Sequence, residues 1–246
     1  MYVKNAFVIV FCVLSSLVFT AKAKTISSTS NHTTFLELYT SEGCSSCPPA
    51  EKWLSTFTHH KTLWKDIIPI NFHVTYWDYL GWKDPFSNAE FSKRQRIYNA
   101  LGKSNLVATP GFVIDGRGWQ GWFYNKALPV TSSPYKGNLH ASINDNTIAL
   151  SYDAATVDQK LVAHVALLGF DVHTKVHTGE NAGRTLKHDF VVIDYLQSDM
   201  QTNGNMAFTH LKQPQVDNIA TSKQAWVFWL STQNDPTALQ VAGGWL

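Results

Sequence analysis

Apolar side chains run almost unbroken from Ala6 to Phe19, and a polar stretch rich in Ser, Thr and Asn follows from Lys24 to Thr34. The polar stretch reads as a flexible leader. Phe35-Leu36-Glu37-Leu38-Tyr39 then alternates as a strand does, and Thr40 to Gly43 reads as a turn. Ala50, Trp53, Leu54 and Phe57 recur at i, i+3, i+4 and i+7, the stripe of an amphipathic helix over 49–58. Pro48 and Pro49 fit its first turn, where a missing N–H has no intrahelical partner. Residues 67–74 read as a buried strand, followed by an aromatic loop from Tyr76 to Phe86. Ser87-Asn88-Ala89-Glu90 has the form of a capping box and predicts a second helix, with Phe91, Ile97, Tyr98 and Leu101 on its apolar side and Gly102 as its stop. Asp115-Gly116 predicts a turn between strands at 111–114 and 119–123. Residues 124–138, with two prolines, read as a connection between domains. Beyond it, residues 139–152, 160–170, 185–197, 225–231 and 239–246 are strand-like, with no helical stripe. That pattern predicts a mainly antiparallel β-sandwich over 139–246.

The first apolar run is short for a membrane span. Lys4 ahead of it and Ala21-Lys22-Ala23 behind it give it the form of an export signal over residues 1–23, with a retained anchor as the alternative. Cleavage after Ala23 leaves 223 of the 246 residues and predicts a secreted or periplasmic protein. It also changes the charge. Of 20 basic residues, Lys4 and Lys22 are lost, leaving 18 against 18 acidic. A balanced chain gives no case for a nucleic acid or, once the signal is gone, a membrane as partner. Cys12 leaves with the signal, so Cys44 and Cys47 remain as an even pair in a compartment where disulfides persist.

Cys44-Ser45-Ser46-Cys47 sits at the start of the first expected helix. Unpaired N–H groups and the positive dipole end favour a thiolate there. Two intervening residues let the sulfurs close a small ring and exchange with a substrate disulfide. Cys44 is expected at the exposed lip as the attacking thiol, with Cys47 one turn in as the resolving thiol. A structural disulfide and a soft metal pair for Cu(I) or Zn, completed by a distant ligand such as His73, are the alternatives. Glu37 on the preceding strand reads either as a buried acid that takes the Cys47 proton or as the partner of a base such as Arg184 or Lys83. The aromatic loop leaves its strand at the carboxyl end, so Trp77, Asp78 and Trp82 are candidates for substrate binding, with packing between domains as the alternative. Gly179 to Arg184 reads as a polar loop that docks on the first domain. The remaining histidines, His164 and His188 among them, show no ligand spacing and receive no role.

The order strand, C-x-x-C, helix, strand, helix, Thr-Pro and hairpin resembles the thioredoxin superfamily. More narrowly, residues 36–50, 73–86, 109–110 and 179–188 resemble an uncharacterised family of exported bacterial and plant proteins, domain of unknown function 1223. The resemblance implies an α/β thioredoxin-like domain, placed at 35–128, ahead of the β-sandwich. It implies a cis bond at Thr109-Pro110, with Pro110 beside the dithiol and the Thr109 backbone offered to an extended substrate. Gly111 departs from it, since a larger polar residue is expected there. The function expected is an exported thiol–disulfide oxidoreductase acting on protein or peptide thiols and disulfides, with no cofactor. The alternative is a non-catalytic binding module for peptide, glycan or copper, with the cysteines as a structural disulfide or metal ligand pair.

Overall fold

The computed structural model describes residues 23–29, 31–131, 137–144, 146–154, 159–213 and 219–246. The export segment falls outside them apart from Ala23. No helix among the described residues is long and apolar enough to cross a membrane.

Two strands whose residues are buried on both faces form the centre, β2 (Thr34–Thr40) and β3 (Ile67–His73), paired in parallel. Their near-continuous apolar runs suit strands covered on both sides. On one side of the pair, β4 (Gly111–Ile114) joins β2 antiparallel and is followed by the short β5 (Arg117–Gly118). On the other side, β3 meets β11 (Val191–Asp199), which continues through β8 (Leu161–Phe170) and β14 (Lys223–Thr232) to β15 (Gln240–Trp245). The result is one eight-stranded mixed sheet.

That sheet corrects the expected fold class. An α/β thioredoxin-like unit followed by a separate β-sandwich is not what forms. The molecule is mostly strand, with 15 strands and two α-helices among the described residues. Strands from before and after the proline-rich connection share the large sheet through the β3–β11 pairing, Asn71 opposite Val191. The physical reason lies in the apolar pattern of β8 and β14. Leu161, Ala163, Val165 and Leu167 face one core and Ala166, Leu168 and Phe170 the other. Trp226, Phe228 and Leu230 alternate likewise with Ala225, Val227 and Trp229. Strands apolar on both faces need cover on both, and a two-layer sandwich covers only one.

A second sheet supplies the cover for one of those cores. It has the order β1 (Lys24–Ser27), β6 (Gly137–Ile143), β7 (Thr147–Ala154), β13 (Met206–Lys212), β12 (Gln201–Asn203). Residues 24–34, expected as a flexible leader, therefore contain β1, which pairs antiparallel with β6 and buries Ile26. β9 (Val172–Lys175) and β10 (Thr185–His188) form a separate two-stranded ribbon.

Two helices lie against opposite faces of β2. Thr40 bonds to Glu51 of α1 (Pro48–Ser55), whereas Glu37 bonds to Arg94 and Tyr98 of α2 (Ala89–Ala100). The cap of α2 is Asn88, whose side chain accepts from the Glu90 N–H, and not Ser87, which bonds to Asp78. Asp115 and Gly116 both have positive φ (47° and 78°), the geometry of a tight hairpin turn. The strand expected at 119–123 is absent, and a 3₁₀ turn over Gly121–Tyr124 stands there instead.

Candidate functional site

Cys44 and Cys47 form a disulfide where β2 hands over to α1, with Cys47 as the helix N-cap. The Cys47 N–H donates to the Cys44 carbonyl, and the Ala50 and Glu51 N–H groups donate back to the Cys47 carbonyl, so the pair is part of the helix start. Cys44 was expected at an exposed lip, but it is 1% exposed and Cys47 0%. Ser45 and Ser46 carry the exposure instead. Cys44 Sγ lies 3.3 Å from Ser46 Oγ and 3.6 Å from the Thr109 carbonyl oxygen, which close over it.

The Thr109-Pro110 bond is cis, and Pro110 is buried. The Trp77 indole N–H donates to Thr109 Oγ1 at 2.7 Å, and a Cβ on Gly43 would stand 3.0 Å from Trp77 Cβ. Trp77 thus ties the turn before the dithiol to the cis-proline loop. Gly111 has a steric reason, since a Cβ there would lie 2.5 Å from the Ala108 carbonyl oxygen and 2.8 Å from Gln95 Nε2. A groove of about 680 Å³ starts at Ser46 and Pro49, passes the cis-proline, and runs between Leu106, Phe112, Trp119 and Phe123.

The other candidates from the sequence are placed differently. Glu37 is fully buried and grips Arg94 through both oxygens, at 2.7 and 2.9 Å, while the Tyr39 and Tyr98 hydroxyls donate to it at 2.7 Å. Burial works against the Arg94 charge, but Glu37 together with Tyr98 and Tyr39 outweighs it and holds the guanidinium pKa well above its ordinary value. The partner of Glu37 is therefore Arg94, not Arg184 or Lys83, and among the described residues every hydrogen bond to its carboxylate comes from Arg94, Tyr39 and Tyr98. Asp78 accepts from Ser87 at 3.0 Å and holds the aromatic loop, and burial raises its pKa. Trp82 donates its indole N–H to Glu42 at 2.7 Å. Of the loop aromatics, Tyr79 stands out in solvent at 79% exposure.

A buried polar cluster lies beneath the dithiol, and most of its members carried no expectation. His188 is fully buried between two carboxylates, Nε2 at 2.9 Å from Glu42 and Nδ1 at 2.5 Å from Glu51. Burial alone would lower its pKa; the Glu51 charge and the bonds to both carboxylates raise it to about 10. Burial raises the Glu51 pKa, but His188, His73 and the Thr40 hydroxyl together bring it below the usual value. His73 Nδ1 lies 2.7 Å from Asp84, which also accepts from the Glu42 and Phe86 N–H groups at 2.8 and 2.9 Å. Burial opposes ionisation of Asp84, and His73 with those two donors lowers its pKa all the same. Glu51 follows Cys47 by one turn of α1, and Glu42 precedes Cys44 by two residues. The loop of residues 179–184 closes the side. Asn181 Nδ2 donates to the carbonyls of Glu42 and Cys44, Arg184 donates to Asn181 Oδ1, and the exposed Glu180 accepts from the Ser45 N–H. The loop docks on the dithiol turn as expected, but Arg184 pairs with Asn181 and not with an acid.

The segments that carry the family resemblance converge here: residues 36–50 bring Glu42, 73–86 bring His73, Trp82 and Asp84, and 179–188 bring Asn181 and His188. That coincidence was the available signal for the cluster.

Comparison with solved structures gives two matches, each at a TM-score of 0.56. A protein of Agrobacterium tumefaciens from the Northeast Structural Genomics Consortium is 21% identical and covers 89% of this chain and 96% of its own. HBP35 of Porphyromonas gingivalis is 10% identical and covers 89% of this chain and 76% of its own. At these identities the likeness concerns the fold alone. No curated protein matches. The family described as protein of unknown function (DUF1223) matches residues 35–230, and the chain belongs to that family.

Proposed function

We propose that this chain is an exported thiol–disulfide oxidoreductase whose reacting pair is Cys44 and Cys47. One observation carries the reading: the disulfide stands at a helix start, with the Thr109 carbonyl before the cis-proline 3.6 Å from Cys44 Sγ, at the head of an apolar groove. An extended peptide in that groove would bring its sulfur to Cys44 rather than to Cys47. The partner's thiolate attacks Cys44 Sγ, the Cys44–Cys47 bond breaks, and Cys47 leaves as a thiolate. The partner's second thiolate then attacks its own sulfur in the mixed disulfide. A partner disulfide forms, and Cys44 leaves as a thiolate. The partner has lost two electrons and the protein has gained two. The same steps in reverse reduce a partner disulfide. The Pro48–Ser55 helix start favours the thiolate that leaves at each stage.

The test uses insulin as partner with dithiothreitol as reductant. The wild-type chain should speed insulin reduction, Cys44→Ser should not, and Cys47→Ser should accumulate a mixed disulfide through Cys44 visible by mass spectrometry. A wild-type rate equal to buffer, with no adduct on Cys47→Ser, would sink the reading.

A second reading is favoured by one observation, the burial of both cysteines. In it the disulfide is a fixed clasp, and the groove binds a ligand without chemistry.

A further inference from the structure

We propose that His73, His188 and Glu51 are ligands of a buried divalent cation of the zinc type, seated between the dithiol helix α1, the end of β3 and the end of β10. One donor atom of each residue lies within 4.8 Å of the others. Ligands about 2.0–2.1 Å from a tetrahedral ion stand about 3.4 Å apart, so the widest separation has to close by about 1.4 Å, and His188 Nδ1 and Glu51, now 2.5 Å apart, have to open by about 0.9 Å.

Three features of the surroundings point to an ion. Each ring keeps its outer nitrogen on a carboxylate, His73 Nδ1 on Asp84 and His188 Nε2 on Glu42, and turns its other nitrogen inward. That arrangement fixes the tautomer and orientation of metal-binding histidines. The two carboxylates are themselves held, Asp84 by the Glu42 and Phe86 N–H groups and Glu42 by the Trp82 indole.

The third feature is independent of the ionisable groups. Asn71 is fully buried, and its Oδ1 has no hydrogen-bond partner. Its amide nitrogen lies 3.3 Å from Glu51 Oε2 and 3.5 Å from His73 Nε2. Rotating the amide by half a turn exchanges nitrogen and oxygen and sets the orphaned oxygen beside Glu51 Oε2 and His73 Nε2. Without an ion that oxygen would face a carboxylate. With one it becomes the fourth ligand.

Two imidazoles and one or two oxygens suit zinc and its neighbours, whereas calcium and magnesium take oxygen shells. Binding replaces the proton that His188 Nδ1 shares with Glu51, and that proton is released. The ion is not a reactant. It clamps α1 to β3 and β10 under the cysteines, and it enters as the chain folds, since all its ligands are buried.

The test is metal content of the full chain folded with excess Zn²⁺ and then dialysed, with Co²⁺ as a spectroscopic probe. We expect one zinc per chain and a visible cobalt spectrum. Cys44→Ser/Cys47→Ser should keep both. His73→Gln should lose them, and Asp84→Asn, which disturbs the support of His73 without removing a ligand, should weaken affinity by about 10–100-fold. Substoichiometric zinc in the wild type overturns the proposal. So does zinc lost from the double cysteine variant, which would place the metal on the dithiol. Undiminished affinity in both His73→Gln and Asp84→Asn overturns it as well. If His73→Gln fails to fold, the Asp84→Asn affinity decides.

Discussion

Glu37 stands seven residues before Cys44, on a strand buried on both faces, and its chemistry depends on which way the strand turns it. The alternation of residues 35–40 was readable from the sequence, and it assigns Glu37, Phe35 and Tyr39 to one face. What lies on that face was not readable. It is α2, and Arg94 there binds both carboxylate oxygens. Removing one partner of such a buried pair leaves the other charge unpaired, which costs about 3–5 kcal/mol. Arg94→Met should therefore lower the unfolding free energy by about that much in urea titrations, while the Glu37→Leu/Arg94→Met double variant recovers most of it. Equal losses in the two variants would contradict the account. The opposite face of β2 holds the residues that the sequence concealed. Glu51 is an ordinary polar position of an amphipathic helix until His188, 137 residues away, is brought 2.5 Å from it. No spacing rule links such residues, because the fold alone makes them neighbours.

At the scale of elements, local chemistry was legible where it is self-contained. The Asp115-Gly116 turn forms as its residue types require, and α1 begins at the prolines. It failed where a neighbour competes: Ser87 leaves the cap of α2 to Asn88 because Asp78 takes its hydroxyl. β8 shows the same effect in its histidine. His164 has no ligand spacing, yet it is locked between Tyr195 at 2.7 Å and Ser231 at 2.8 Å and stacks on Trp229. Burial first, and the Arg94 charge second, hold its pKa well below 6.5. The folded chain keeps this ring neutral, while the unfolded chain protonates it below about pH 6.5. A lowered folded pKa means that stability is full above that value and falls as the pH drops beneath it. The loss grows by up to about 1.4 kcal/mol for each pH unit below that value. His164→Gln carries no such proton, so the stability difference between wild type and variant should shrink from pH 7 to pH 5. A difference independent of pH would show that the ring charges freely in the folded state.

At the scale of the molecule, the sequence separates an α/β-like half from a β-rich half, and the eight-stranded sheet joins them. The strands were mostly readable from composition, but their order was not, because the β3–β11 pairing that unites the halves is settled by which apolar faces remain uncovered. Such a sheet should unfold as one unit. Calorimetry of the wild-type chain should give a single transition whose calorimetric and van't Hoff enthalpies agree, and two resolved transitions would mean independent halves. The dithiol lies where this sheet, α1 and the 179–184 loop meet, and the proposed function requires it to be reactive there. The most direct measurement is the reduction potential of the Cys44–Cys47 pair in the intact chain, equilibrated with glutathione or dithiothreitol buffers. A redox-active pair predicts a value between about −120 and −270 mV, and a value below about −300 mV would mark a structural disulfide and contradict the proposed function.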